Sequence, residues 1–169
     1  MQTTYFFDIA MVFKRRDIRE RVLQALYAYE LAKEPLPRVI DYVFRDLTVQ
    51  KAALELACSL LEIVVEHQEK VDTIIRDKVA NWDFNRIALI DKLILRMSIC
   101  ELMFFEDIPP KVTINEAIEI AKRFSTEKSG MFVNGVLDSI LIDLKSSGQL
   151  KKSGRGLVEV SAKKQKKTP

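Results

Sequence analysis

The feature of this sequence that is best suited to chemistry is a cluster of basic residues at the start of a predicted amphipathic helix. Asp17 and Glu20 lie among the cations, and residues 22–27 continue as an apolar helical pattern. The start of a helix carries a partial positive charge, so each cation there is disfavoured by about 0.3–1 kcal/mol. Free amide groups at a helix start also attract phosphate. The pattern therefore predicts an anion-binding site, and a solvated charged turn is the alternative. The cations of the cluster are Lys14, Arg15, Arg16 and Arg19.

The sequence lacks the residue combinations that enzymes use. Its single histidine, His67, lies in a polar run and is expected to be a solvated residue at a helix end. Glu116 and Glu119 are spaced for a carboxylate metal site, but no E-x-x-H partner accompanies them, so we interpret them as a helix cap and a solvated face. No glycine-rich phosphate loop is present. We therefore expect no enzyme activity, no metal and no cofactor.

The two cysteines indicate a reducing compartment. Cys58 and Cys100 lie within apolar helical runs, which is typical of free, buried cysteines in a cytoplasmic protein, and a disulfide between them is the alternative. No apolar run reaches the roughly 18 residues that span a membrane. The apolar residues 1–13 include Asp8 and lack the features of a signal peptide, and Met11 is an alternative start. We therefore expect a cytoplasmic protein without a membrane segment.

The charge of the chain is unevenly distributed. Residues 151–169 contain seven Lys or Arg and one Glu, a charge of +6, so residues 1–150 carry −3 of the total of +3. This composition predicts an N-terminal extension over residues 1–13, a helical domain over residues 14–146 and a disordered Lys-rich tail over residues 147–169. Such a tail could add nonspecific attraction for polyanions.

The elements that must position the basic cluster are predicted to be helices nearly throughout. Apolar residues recur at helical spacing in six or seven segments with short connections, which predicts an all-α domain of one or two antiparallel bundles. The long periodic stretch from residue 48 to residue 79 is expected to break near residues 67–70. In the first helix one stripe is apolar and should pack against the core; it consists of Ile18, Val22, Ala25, Leu26 and Tyr29.

Two helix starts are predicted from capping signals. Asp83 is a good N-cap, and Trp82 before it could pack onto Ile87 as a hydrophobic staple. Thr113 and Glu116 form a T-x-x-E capping box ahead of residues 117–124. The last helix is predicted over residues 131–144, and we expect folded structure to end near residues 146–148.

Several polar or small residues interrupt apolar helical runs and are expected to be structural. Arg96 and Glu101 lie five residues apart, so each should form an ion pair with another element. Gly135 lies inside a helical pattern, where glycine costs about 1 kcal/mol relative to alanine. We interpret it as the site of a close helix–helix approach, with Asn134 bonding a neighbouring backbone.

Three blocks of residues in this sequence resemble the NusB family of transcription antitermination factors. They cover roughly residues 15–140 in order and spacing. The blocks are Arg15-Arg16-x-x-Arg19-Glu20-x-x-Leu23-Gln24-Ala25-Leu26-Tyr27; Trp82-x-x-x-Arg86-Ile87 with Asp91-Lys92-x-Ile94-Leu95-Arg96 and Glu101-Leu102; and Ile114-Asn115-Glu116-Ala117 to Ala121-Lys122-Arg123-Phe124 with Phe132-Val133-Asn134-Gly135-Val136-Leu137-Asp138.

The resemblance implies a fold, a function and a set of partners. NusB-like proteins consist of two small helical bundles and bind the boxA element of nascent ribosomal RNA leaders together with the ribosomal protein NusE, in an antitermination complex on RNA polymerase. By that resemblance Arg15, Arg16 and Arg19 would hold phosphates, with Tyr27 on or near the same surface. Lys92, Lys128 and Phe132 would belong to the same RNA-binding face, and Asp91 would lie near the NusE contact.

Two alternatives to this function can be considered, and the second is left open. NusB-like domains also occur fused to RNA cytosine methyltransferases, but this chain has no room for a second, cofactor-binding domain. The other alternative is a homodimeric helical scaffold without specific RNA binding. The chain also departs from the family in its apolar start, in its Lys-rich end and in Lys128, which stands where an acid is frequent.

Overall fold

The protein is described by a computed structural model over residues 13–157. The described chain is helical apart from short connections, which confirms the predicted all-α class. Most of the N-terminal extension, including the alternative start at Met11, and the lysines after residue 157 lie outside the described residues. The helices are α1 (Arg15–Ala32), α2 (Leu36–Val43), α3 (Lys51–Glu66), α4 (Gln68–Lys78), α5 (Leu89–Phe104), α6 (Pro110–Phe124) and α7 (Glu127–Ser146), with 3-10 turns at Arg45–Val49, Phe84–Arg86 and Gly154–Leu157.

The core is organised around α5. Residues 93–102 of this helix are all buried, which a helix requires when it is surrounded by others. Helices α1, α2 and α3 pack together on one side of α5, whereas α4, α6 and α7 pack on the other. The two predicted bundles are confirmed, and they share α5 and one continuous hydrophobic core.

Buried ion pairs join α5 to its neighbours. The Arg96 guanidinium donates to both carboxylate oxygens of Asp72 on α4, at 2.7 and 2.8 Å, and approaches Glu30 on α1 at 3.5 Å. The expectation that Arg96 pairs with other elements is confirmed. Since the side chains of both Arg96 and Asp72 are less than one-tenth exposed, these bonds fix α4 against α5.

The predicted break in the long apolar stretch is confirmed, because α3 ends at Glu66 and α4 begins at Gln68. His67 lies at a helix end, as predicted, but it is half-buried rather than solvated. Its ring lies 4.4 Å from the ring of Phe104, centroid to centroid, and its Nδ1 is 3.1 Å from the carbonyl oxygen of Ile63. The histidine therefore packs the α3–α4 corner against the end of α5.

Two predicted helix starts are wrong. Asp83 accepts a bond from the Asn85 amide, but it caps only a 3-10 turn, and α5 begins later, at Leu89. Helix α6 begins at Pro110, before the predicted capping box, because a proline is well suited to the first turn of a helix. The Thr113 hydroxyl instead donates to Glu101 at 2.5 Å.

The last helix begins and ends outside its predicted bounds. Thr126 caps α7 by accepting the Ser129 amide at 3.0 Å, so the helix starts at Glu127 rather than at residue 131. The ordered chain continues beyond the predicted boundary at residue 146 and packs back onto the domain through Lys152 and Gly156. Within the described residues no helix is both long and apolar enough to cross a bilayer.

Candidate nucleic-acid interface

The start of α1 is the first component of the site. The Lys14 amide donates to the Asp17 carboxylate at 2.8 Å, and this bond satisfies a donor at the helix start. Arg16 donates to both oxygens of Glu116 on α6, at 2.7 and 2.8 Å. These hydrogen bonds raise the pKa of Arg16 and lower the pKa of Glu116. The Arg16 side chain nevertheless remains 46% exposed, so it can reach a phosphate from this position.

Arg15 is held more loosely than Arg16. Its guanidinium lies 3.7 Å from the Asp107 carboxylate, in the connection between α5 and α6, and about half of its side chain is exposed. The guanidinium of Arg155 approaches the same oxygen of Asp107, at 3.9 Å. One carboxylate is therefore shared between two exposed arginines, which leaves a net positive charge.

Arg19 was predicted to hold phosphate, but the structure places it in the core. It donates to both oxygens of Glu101, at 2.8 and 2.9 Å, and only 5% of the residue is exposed. The Thr113 hydroxyl donates to the same carboxylate. A phosphate could reach Arg19 only by breaking a buried ion pair, so this residue joins α1 to α5 and α6. The expectation that Glu101 pairs with another element is confirmed by the same contact.

A second ion pair joins α1 to the end of α6. Arg123 donates to both oxygens of Glu20, at 2.7 and 2.8 Å. Since Arg16 meets Glu116 and Glu20 meets Arg123, the two helices run in the same direction where they touch. Tyr27 is 40% exposed and lies two turns beyond Glu20, about 18 Å from Arg15 along the helix. It therefore presents an aromatic ring to solvent further along the same helix.

An aromatic cluster forms the second component of the site. The Arg76 guanidinium carbon lies 4.3 Å from the centre of the Phe84 ring, and Lys92 Nζ lies 5.0 Å from it. The rings of Trp82 and Phe132 are 6.0 Å apart, and Trp82 is 70% exposed. We call Trp82, Phe84 and Phe132 with Arg76 and Lys92 the aromatic cluster. An exposed Trp beside basic groups is suited to stacking or to a protein contact, not to the predicted staple onto Ile87.

Lys128 is exposed to solvent whereas Asp91 is buried, although the resemblance implies an RNA contact for Lys128 and a position near NusE for Asp91. Lys128 is exposed in the first turn of α7, four residues before Phe132 and hence on the same helix face. Asp91 is only 6% exposed and accepts the Ser129 hydroxyl at 2.9 Å. Its other oxygen has no hydrogen-bond partner in the described chain. The carboxylate faces the α5–α7 contact and presents little charge to solvent, and the nearness of Asp91 to a NusE contact stays a prediction.

The structure thus assembles some of the predicted residues and separates others. Arg15 and Arg16 lie together at the start of α1, whereas Lys92 and Phe132 belong to the aromatic cluster and Lys128 lies one turn before Phe132. Tyr27 is exposed further along α1. Sequence reasoning missed Arg76, Phe84 and Arg155. An apolar pair flanking Asp83 in a polar connection was the signal that could have found the aromatic cluster.

The family model that describes the NusB family matches residues 16–141. The chain belongs to the NusB family. A transcription antitermination protein NusB from Chloroherpeton thalassium is 45% identical over 157 residues, which are 92% of this chain and 74% of that relative. The structure of T. maritima NusB is 40% identical with a TM-score of 0.73, covering 79% of this chain and 94% of that one.

A further similar structure is that of a complex. A chain in the crystal structure of the antitermination factors NusB and NusE in complex with dsRNA is 28% identical, with a TM-score of 0.69, covering 76% of this chain and 96% of that one. Both components of the site lie within the NusB family match except Arg15, which directly precedes it, and Arg155 lies beyond its end at residue 141.

Proposed function

We propose that this chain is a transcription antitermination factor that binds the boxA element of ribosomal RNA leaders together with the ribosomal protein NusE. The complex would act on RNA polymerase to promote complete ribosomal RNA transcription. The observation that carries the proposal is the pair of half-exposed arginines, Arg15 and Arg16, at the start of α1 in a NusB-family fold.

The face offers the groups that single-stranded RNA recognition needs. Arg15 and Arg16 would hold phosphates, since guanidinium groups match phosphate in charge and geometry. Tyr27 and Phe132 would stack on bases, and Lys92 and Lys128 would contact phosphates of the RNA backbone. Arg19 and Asp91 would support the face from the core. Arg19 would hold α1 in place through Glu101, and Asp91 would hold Ser129 at the start of α7.

The exposed indole of Trp82 is the feature best suited to the protein partner. Interfaces concentrate their binding energy in a few aromatic and arginine side chains. Trp82 is more than two-thirds exposed, and Arg76 is close by against Phe84. NusE would therefore dock beside the aromatic cluster, where RNA and protein could be bound side by side.

The test is fluorescence anisotropy of a boxA-like RNA and of a scrambled RNA of equal length, with and without purified NusE. We expect tighter binding of boxA that strengthens with NusE. Replacing Arg15 and Arg16 with alanine should weaken binding at least about ten-fold and reduce the salt slope by about 1.4, since each phosphate contact on a single strand contributes about 0.7.

The matched control is Arg38→Ala on α2, which also removes a guanidinium. Arg38 is three-quarters exposed, and its ion pair is with Glu34 in the same segment. It should change binding little. Equal binding of both RNAs, insensitive to NusE and to the α1 substitutions, would favour the alternative of a homodimeric helical scaffold, which sedimentation would then detect.

A further inference from the structure

The residues after α7 return to the end of the molecule where α1 begins. We call residues 149–157 the C-terminal arm. Its Lys152 ammonium donates to the carbonyl oxygens of Glu101 and Phe105, at 3.3 and 2.8 Å. These carbonyls lie at the C-terminal end of α5, where the helix dipole favours a cation. Lys152 therefore fastens the arm to α5.

A second attachment is made by backbone. The Ser153 amide donates to the carbonyl oxygen of Glu106 at 3.0 Å, and Gly156 is buried against the same residue. A Cβ built on Gly156 would overlap the Glu106 carbonyl oxygen. The arm can therefore lie in this position only with glycine at residue 156.

Docking of the arm has an electrostatic result. It sets Arg155 against Asp107, whose carboxylate also faces Arg15. The side chain of Arg155 is 77% exposed and Asp107 is 54% exposed, so neither ion pair is buried. Exposed pairs at such distances contribute little to stability, and a phosphate could replace the carboxylate as the partner of either arginine.

We propose that the C-terminal arm is a part of the RNA-binding surface, because its docking places Arg155 beside Arg15 at the start of α1. The inference rests on the proposed function and adds to it a further binding element. The arm lies beyond the NusB family match, which ends at residue 141.

The decisive variant is Gly156→Ala in the full chain, because it opposes docking without changing any charge. Hydrogen exchange at the Ser153 amide should become at least about ten-fold faster, since its bond to Glu106 opens. Binding of the boxA-like RNA should weaken about three- to ten-fold at low salt, and its salt slope should fall by about 0.7 or more, the value of one phosphate contact. Circular dichroism checks that the helices remain.

A pair of adjacent lysines supplies the matched control. Lys151 is exposed and Lys152 is fastened to α5, yet replacing either with methionine removes one charge. We expect Lys152→Met to weaken RNA binding at least about three-fold more than Lys151→Met does. Equal effects would mean that total charge alone matters, and would overturn the inference.

The other outcomes separate the inference from the function on which it rests. If exchange at Ser153 stays slow in Gly156→Ala, or if exchange accelerates while RNA binding and its salt slope stay unchanged, the inference is overturned and the proposed function stands. If the unaltered protein binds boxA no better than scrambled RNA, the proposed function fails, and the inference fails with it.

Discussion

At the scale of single residues, the arginines of α1 show how environment separates side chains that look alike in the sequence. Arg16 and Arg19 are one turn apart, and each forms a bidentate pair with a glutamate. The Arg16 pair is partly solvated, whereas the Arg19 pair is almost completely buried. The first is available to a ligand and the second stabilises the fold.

This difference predicts opposite effects for two alanine substitutions. Arg19→Ala leaves Glu101 buried without its partner and should lower the free energy of unfolding by about 3–5 kcal/mol. Arg16→Ala should lower it by no more than about 1 kcal/mol, because a solvated pair contributes little. Urea denaturation followed by circular dichroism measures both. Similar losses for the two variants would contradict the assignment of Arg19 to the core.

Sequence reasoning could not distinguish these arginines because their partners are distant in the chain. Glu101 is 82 residues from Arg19, and nothing local to α1 indicates the contact. The same limit explains Asp91, whose burial depends on α7 packing over it through Ser129. Arg96 and Glu101 were placed correctly as structural because charges within a continuous apolar run must be paired when that run is buried.

At the scale of elements, α7 contains a glycine that no packing requirement explains. Gly135 was expected to permit a close helix–helix approach, but a Cβ built there meets no atom within 4 Å. The residue is exposed, with Met131 one turn before it and 69% exposed. The expected close approach is therefore absent within the described chain.

Gly135→Ala should accordingly stabilise the protein. A glycine within a helix costs about 0.5–1 kcal/mol relative to alanine, and here no clash opposes the gain. Thermal unfolding by calorimetry should show a higher Tm. A lower Tm would show that the added methyl group meets an obstacle, contrary to the open surface described above.

Element boundaries were the part of the fold that local signals predicted least well. The T-x-x-E pattern at Thr113 matched a capping box, yet Pro110 already starts α6 and Glu101 takes the Thr113 hydroxyl. Thr126 was the effective cap of α7, although residues 125–130 were assigned to a connection. A cap signal is local and weak, so tertiary hydrogen bonds decide which of several candidates is used.

At the scale of the whole molecule, α5 makes the two bundles one cooperative unit. Cys100 lies on this helix, fully buried, and burial raises the pKa of its thiol to about 12. Cys58 on α3 is less buried, although burial raises the pKa of its thiol too. Both thiols are free, as the sequence predicted.

The shared core predicts that Cys100 reacts only when the whole domain unfolds. In a urea series, its alkylation by iodoacetamide at pH 8 should follow the same midpoint as the loss of helical circular dichroism. Cys58, the control for reagent access, should be modified at lower urea concentrations. Alkylation of Cys100 well before the helical signal falls would indicate that the bundles separate while remaining helical.

Asp107 also has a topological consequence. It faces Arg15 near one end of the described chain and Arg155 near the other. The two ends of the described chain, at Phe13 and Leu157, are therefore close in space, as in a ring with one gap. Proteins with neighbouring ends tolerate circular permutation, since a short linker can replace the gap at little entropic cost. Joining the ends here and opening the ring at the exposed Lys33 should preserve every helix. The order of the helices in the gene could then change without altering their arrangement in space.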